Sequence, residues 1–157
     1  MFLSLDIYKI NLNELKLSKE KKNLYYENSI FYKIFYKNQT YIIDNLIMNM
    51  RFIYLKKNNE NNKIKIILDN NNSENISILN KLQNIEKYLF KKIIKDTNIK
   101  IKYIYESILK NNLLYINHKK KDICFDFNND NIINVKLIIN GIWKDNNNNY
   151  GFSYKFI

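Results

Sequence analysis

Residues that many catalytic and binding sites depend on are scarce in this chain of 157 residues, which has two glycines, one cysteine and one histidine. Two glycines cannot form a Gly-rich phosphate loop, so nucleotide-triphosphate chemistry built on such a loop is excluded. One cysteine, Cys124, cannot form an internal disulfide, which fits a reducing intracellular compartment. His118 has no acid or thiol beside it in the sequence, so we expect a surface histidine and not part of a catalytic triad.

Long apolar segments are also missing. The longest stretch without a charged residue is the nine positions between Asp145 and Lys155, whereas a membrane helix needs ~18 apolar residues. Asp6 and Lys9 interrupt the N-terminal apolar stretch, so no secretory signal is expected. We therefore predict no membrane partner.

Charge of one sign dominates what is present. Lys and Arg number 26 against 15 Asp and Glu, giving a formal net charge of +11, which predicts attraction to polyanions. The chain also has 30 Asn, 28 Ile and no Ala, and Arg51 is its one arginine. Asn, Ile and Lys have A/T-rich codons, so we expect part of the charge to reflect genome composition and not a ligand. The placement of the charged residues along the chain is the more informative signal, because codon bias does not dictate it.

Period-2 alternation of apolar and polar residues predicts strands over most of the chain. The predicted strands are Leu3–Ile7, Ser29–Lys37, Asn49–Lys56, Asn62–Leu68, Asp122–Phe127, Ile132–Trp143 and Tyr150–Phe156. Asn-rich segments between them predict loops, because Asn tolerates the left-handed conformation of turns. The predicted loops are Lys57–Asn62, Asp69–Asn72, Asn128–Asn131 and Asp145–Asn149.

One segment has helical periodicity instead. From Ser73 to Thr97 the apolar residues recur at steps of three and four, with Ser73 as the candidate N-cap. A shorter helix is predicted over Lys102–Lys110, ending at Asn111 or Asn112 in place of a C-terminal glycine.

Strands on both sides of inserted helices predict a mainly β fold with a helical insertion at about 73–111, in one domain spanning 1–157. Two architectures compete, an OB-like antiparallel barrel with one long amphipathic helix and an open sheet with the helix across one face. The long strand ending at Trp143 favours the barrel, because Gly141 could mark a bend at which one strand serves both sides.

Metal and catalytic chemistry find little support. Asp126, Asn128 and Asp130 resemble the start of a calcium loop, but the sixth and twelfth positions carry Asn131 and Leu137 instead of Gly and Glu. A two-metal nuclease would need converging acids such as Asp69, Asp122 and Asp126, and nothing in their spacing requires convergence. We expect no catalytic residue, no metal and no cofactor.

Lysines interleaved with aromatic residues are the stronger signal, because proteins that hold single-stranded nucleic acid combine cations along the phosphates with rings under unstacked bases. The candidate binding residues are Tyr32, Lys33, Tyr36, Lys37, Arg51, Tyr54, Lys56, Lys63, Lys65, Lys119, Lys120, Lys121, Trp143, Lys144, Tyr154 and Lys155. Each ring alone is as compatible with the core as with stacking. Trp143 could stack a base or close the barrel end, and Arg51 could pair a phosphate or Asp44.

The C-terminal sequence LIINGIWK (137–144), followed after an Asn loop by YGFSYKFI (150–157), resembles the closing hairpin of single-stranded DNA-binding proteins of large double-stranded DNA viruses. In that pattern a strand ending in Gly-Ile-Trp precedes a loop and a Gly-x-x-Tyr-Lys-Phe strand. The segments 82–89 and 105–109 resemble the helical insertion of such proteins. The matching hairpin positions are Gly141, Ile142, Trp143, Gly151, Tyr154, Lys155 and Phe156.

The resemblance implies an OB-like barrel that coats single strands during viral replication, recombination or repair, in the host nucleus or at a viral replication site. With the lysines and rings, it leads us to expect a non-enzymatic binder of single-stranded DNA with little sequence preference. The alternative is a structural or interaction module, such as a virion or assembly component. A preference for DNA over RNA and the formation of a homo-oligomer stay open.

Overall fold

The computed structural model describes residues 4–23, 28–60, 63–95, 97–117 and 131–157. Within them lie two helices, α1 (Ser73–Lys91) and α2 (Ile104–Asn111), and two short 3-10 helices, Ile7–Lys9 and Leu12–Glu14. The strands in chain order are β1 (Leu5–Asp6), β2 (Leu15–Leu17), β3 (Lys21–Lys22), β4 (Ile30–Lys37), β5 (Ile42–Asp44), β6 (Leu46–Glu60), β7 (Lys63–Leu68), β8 (Lys100–Lys102), β9 (Leu113–Asn117), β10 (Ile132–Lys144) and β11 (Asn149–Phe156).

Five strands close into a barrel in the order β6-β7-β9-β11-β10, and β10 pairs back with β6. Neighbouring strands are antiparallel except for β9 and β11, which run parallel where Phe156 meets Ile116. The prediction of a mainly β, OB-like barrel with a helical insertion is confirmed, and the open-sheet alternative is wrong. Both helices lie between β7 and β9 in the chain.

The bend predicted at Gly141 is present in β10. This strand pairs with β6 from Ile132 to Ile139 and with β4 from Gly141 to Lys144. Its register with β11 shifts between Ile139 and Gly141, as a β-bulge requires. A single strand therefore serves the barrel with its first half and the outlying strands with its second.

Alternation along the strands sends one side chain in two into a single hydrophobic core. Met48, Met50 and Phe52 of β6 point inward opposite Leu137, Val135 and Ile133 of β10. The intervening residues, Arg51 among them, face outward. The outer surface of the barrel is thus where the cations lie.

Helix α1 buries the predicted apolar stripe, which includes Ile78, Leu82, Ile85 and Leu89. Its N-cap is Asn72, one residue before the predicted Ser73, because the Asn72 side chain accepts from the amides of Glu74 and Asn75. The helix ends at Lys91, six residues before Thr97. The apolar period continued past the end because Ile93 and Ile94 still pack against the core.

Asparagine takes the place of glycine in the turns, as predicted. Five residues of the described chain other than glycine have positive φ, and all are Asn: Asn28, Asn45, Asn112, Asn131 and Asn148. Asn112 at φ 53° ends α2, and its amide donates to the carbonyl of Ile108 at 2.7 Å.

One predicted loop is wrong, and strands β2, β3, β5, β8 and β9 were not predicted. The Asn-rich segment 57–62 was expected to be a loop, but β6 continues to Glu60 because Asn58 and Asn59 pair with Lys65 and Ile64 of β7. Strand β9 was not expected, since its sequence Leu-Leu-Tyr-Ile-Asn does not alternate clearly. The predicted strand Asp122–Phe127 and loop Asn128–Asn131 lie outside the described residues except for Asn131. None of the helices described is long and apolar enough to cross a membrane.

Candidate nucleic-acid interface

A concave site opens where α2 lies beside β9 and β11. The cavity measures about 270 Å³ and is called the tyrosine pocket below; its lining residues are Lys63, Ser107, Ile108, Asn111, Leu113, Tyr115, Tyr154, Lys155 and Phe156. This set includes two lysines and two tyrosines but no acid. Drug-sized ligands occupy pockets of roughly 300 to 1,000 Å³, so the size suits one planar ring system.

The pocket arises from the way β11 changes partner. Asn149–Gly151 pair with β8, and only Phe156 pairs with β9. Between these points α2 approaches β11, and Ser107 of α2 lines the cavity together with Tyr154 of β11. Tyr154 shares the inner side of β11 with Phe156 but stays 39% exposed, because β11 does not pair with β9 at that position.

Tyr115 and Lys155 meet on the outer surface. Ile116 and Phe156 are paired and buried, so the residues before them point to the opposite face of adjacent strands. Tyr115 is 45% exposed. Tyr115 and Lys155 therefore both reach the pocket from the outer face of their strands.

The outer face of β6, β7 and β9 adjoins the pocket. Cross-strand pairs place Lys56, Ile67 and Leu113 in one row, and Asn58, Lys65 and Tyr115 in the next. Lys63 precedes Lys65 by two residues on the same face of β7, roughly 7 Å away along the strand. We call this surface, with Lys56, Lys63 and Lys65 as its cations, the lysine face.

Burial perturbs two groups beside the pocket. It raises the pKa of the Tyr154 hydroxyl above its ordinary value of 10, although the neighbouring Ser107 side chain acts in the opposite direction. Behind the pocket, burial also raises the pKa of Glu86 in α1, to about 8, against two backbone hydrogen bonds that lower it. Tyr154 is therefore a neutral ring at physiological pH.

The structure brings together five of the predicted binding residues. Lys63, Tyr154 and Lys155 line the pocket, and Lys56 and Lys65 lie on the adjoining face. Two further predicted residues, Tyr54 of β6 and Lys144 of β10, point away from the pocket. Tyr54 packs against the core opposite Leu68, and the Lys144 ammonium lies over the buried ring of Tyr150 at 5.4 Å.

Two tyrosines of the predicted set face inward. Tyr36 is 3% exposed, and its hydroxyl accepts from the amide of Asn11 at 3.3 Å. The prediction that it stacks a base is wrong, because β4 places it on the same face as the buried Ile34. Tyr32 packs against the core from that face, and its hydroxyl donates to Glu20 at 3.3 Å.

Other predicted cations are scattered around the barrel. Lys33 is paired with Asp44 at 3.0 Å, so the carboxylate considered for Arg51 is held by Lys33 instead. Arg51 is exposed opposite Asn134, and Lys37 is exposed at the end of β4. One channel containing the whole predicted set does not exist. Lys119, Lys120 and Lys121 lie outside the described residues.

Trp143 lies on the outer surface, but its ring packs against the protein's own backbone at Gly151. A side chain at Gly151 would collide with the Trp143 indole, so the ring lies directly over that glycine. The indole N–H donates to the carbonyl of Phe152 at 3.3 Å, and the Lys102 ammonium lies 5.6 Å from the ring. Phe31 covers Gly141 in the same way.

Sequence reasoning missed Tyr115, Ser107 and Asn111. The signal for Tyr115 was its place between Leu114 and Ile116, which point inward, once a strand is assumed there. Ser107 and Asn111 lie one turn apart on α2, and the Asn111 side chain donates to the Ser107 carbonyl at 3.2 Å. Only the packing of α2 against β11 makes them part of a site.

A metal centre has no support in the described part of the chain, where no three His, Cys, Asp or Glu side chains come together. Asp122, Asp126, Asn128, Asp130, His118 and Cys124 lie outside it. Comparison with family models, with curated proteins and with solved structures gives no match. The resemblance of the C-terminal hairpin to viral single-stranded DNA-binding proteins therefore stays a prediction.

Proposed function

We propose that this chain is a non-enzymatic binder of single-stranded DNA that holds the strand along the lysine face and seats an unstacked base at the tyrosine pocket. The observation that carries the proposal is the convergence of Tyr115 and Tyr154 with Lys63 and Lys155 on one cavity of an OB-like barrel. Rings and cations side by side are what single-strand binding needs.

The size and composition of the pocket favour an unpaired strand over a duplex. A ring inside a concave site reaches a base only when that base has left its stack, and each such contact is worth about 1 to 3 kcal/mol. Duplex DNA presents its phosphates but keeps its bases paired. Pocket stacking therefore adds affinity for single strands alone.

Low sequence preference follows from the kind of cation. The cations of the pocket and the lysine face are lysines, which act as point charges and lack the planar fork that arginine uses to read guanine. Stacking on a tyrosine accepts any base. We expect discrimination by strandedness and not by sequence.

A salt titration tests the proposal. Fluorescence anisotropy with oligo(dT) of about 16 nucleotides, the upper site size of one OB fold, is compared with a duplex of equal length. We expect tighter binding of the single strand and log affinity falling linearly with log salt. Neutralisation of one phosphate by each of four lysines gives a slope of about −2.8.

Equal or tighter duplex binding would contradict the proposal. Lack of any binding near physiological salt, together with a stable homo-oligomer in light scattering, would instead favour the structural or interaction module. Competition by oligo(U) in the same assay distinguishes a DNA preference from tolerance of RNA, since RNA differs by its 2′-hydroxyl.

A further inference from the structure

Glu86 is a carboxyl group in the wrong surroundings for a charge. It lies in α1 next to the buried stripe residue Ile85, and its exposed fraction is 0%. A buried carboxylate is costly unless it is paired or hydrogen-bonded. Its position therefore calls for a specific role.

The carboxyl oxygens of Glu86 hold the first turn of α2. Oε1 accepts from the amide of Ile104 at 2.6 Å, and Oε2 accepts from the amide of Tyr105 at 3.1 Å. The N-cap residue Tyr103 makes no side-chain cap of its own. Glu86 thus supplies from α1 the acceptors that helix amides at this end need.

Helix α2 forms one wall of the tyrosine pocket through Ser107, Ile108 and Asn111. The hydrogen bonds to Glu86 hold the first turn of α2 and so fix the position of this wall. Ser107 and the proposed stacking ring of Tyr154 line the same pocket. The buried carboxyl therefore holds the helix that forms a wall of the proposed binding site.

The groups that face Glu86 do not neutralise a charge on it. From α2 and the residue before it come the hydroxyls of Tyr103 and Tyr105 and the carboxylate of Glu106, and from β11 comes the hydroxyl of Tyr154. Burial, the largest effect, raises the pKa of Glu86 to about 8. At neutral pH the carboxyl is therefore protonated, and at higher pH it ionises.

We propose that Glu86 is a positioning residue whose protonated form supports binding of a polyanion at the tyrosine pocket and whose ionised form weakens it. The uncharged carboxyl holds α2 without adding negative charge behind the site. The ionised carboxyl adds a negative charge behind the site, which repels the phosphates of the strand. This inference rests on the proposed function and deepens it.

The test is the pH profile of oligo(dT) binding at constant ionic strength, from about pH 6.5 to pH 9, where lysines and tyrosines with ordinary pKa values do not titrate. Glu86→Gln keeps the size of the side chain and one acceptor oxygen but cannot ionise, and Glu74→Gln removes an exposed acid from the first turn of α1 as the matched control. Histidine and cysteine ordinarily titrate in this range, so the measured quantity is the difference between each variant and the wild type.

We expect the wild type and Glu74→Gln to lose about five-fold more affinity across this range than Glu86→Gln, the lower end of typical site-to-site coupling. The same pH profile in Glu86→Gln as in the wild type would overturn the inference while leaving the proposed function intact. Absence of oligonucleotide binding at every pH would overturn both.

A second measurement uses the wild type and does not depend on the folding of a variant. Carbon-13 NMR of the Glu86 carboxyl follows its ionisation with and without oligo(dT). Because coupling is reciprocal, bound strand should move the titration midpoint upward by about 0.7 pH unit for a five-fold effect. An unchanged midpoint in the presence of saturating oligonucleotide would overturn the inference.

Discussion

On the side of the barrel where β4, β10 and β11 meet, Phe31 lies over Gly141 and Trp143 lies over Gly151. Further along β11, Tyr115 and Tyr154 line a pocket and remain well exposed. Both regions carry rings next to lysines. Only the second leaves a ring face open to a ligand.

The difference comes from the residue opposite each ring. A glycine in a strand leaves a gap in the surface, and a neighbouring aromatic ring fills it and protects the backbone. Both glycines of the chain lie on the first side, and the aromatic rings of that side pack over them. An aromatic-lysine pattern therefore indicates a binding surface only where the ring has no such neighbour to cover.

The sharpest test of this contrast removes both open rings. Because one stacked base is worth about 1 to 3 kcal/mol, we expect Tyr115→Ala with Tyr154→Ala to weaken oligo(dT) binding by at least about five-fold. Anisotropy gives the affinities. The double Phe variant, which keeps the rings, should bind like the wild type. Tyr8→Ala, which removes an exposed tyrosine hydrogen-bonded to Ser77, should do the same, and a loss as large in that variant would remove the distinction.

Removal of Trp143 should lower the stability of the fold and leave the affinity for DNA nearly unchanged. Trp143→Ala uncovers Gly151 and loses the hydrogen bond to Phe152. Since the side chain is half-buried, we expect about 2 kcal/mol of lost stability, below the range for fully buried tryptophans, in urea unfolding. Its affinity for oligo(dT) should stay within about two-fold of the wild type. A weakened affinity matching that of the tyrosine double variant would mean that the covered ring binds DNA.

Gly151→Ala tests the same contact between Trp143 and Gly151 by changing the glycine. The added methyl group collides with the Trp143 ring, so we expect a loss of about 1 to 3 kcal/mol of stability, as for other overpacked sites. Ser153→Ala on the same face of β11 is the control, with an expected change within about 0.5 kcal/mol. Unfolding by urea measures both. Equal stability of Gly151→Ala and the wild type would show that the ring is free to move.

Charge gives the smallest expected effect. Lys63→Gln and Lys155→Gln should each reduce the magnitude of the salt slope by about 0.7, the contribution of one phosphate contact on a single strand. Lys37→Gln removes the same charge from an exposed position outside the pocket and should leave the slope unchanged. If all three variants lower the slope equally, binding follows overall charge and not the pocket.

Much of the fold could be predicted because burial imposes its period on the sequence. Strands β4, β7, β10 and β11 and helix α1 each carry a repeating apolar side that faces the core. The use of Asn112 as a helix end followed from the tolerance of Asn for positive φ. Strand β9 escaped prediction because it is five residues long and apolar on nearly every position.

The site was harder to predict because neighbours in space decide which rings are open. Tyr36 and Tyr154 have similar sequence settings, each followed by a lysine, yet one is buried against Ile34 and the other faces a pocket. What distinguishes them is the parting of β11 from β9 beside α2. A pairing of distant segments of this kind leaves no local pattern in the sequence.

The lone tryptophan allows the central claim to be tested within one sample. Proton–carbon NMR of the aromatic rings is recorded while oligo(dT) is added to the wild-type protein. Stacked bases shift the signals of a ring beneath them, so we expect Tyr115 and Tyr154 to move and Trp143 to stay. Movement of the Trp143 signals with both tyrosines unchanged would contradict the account.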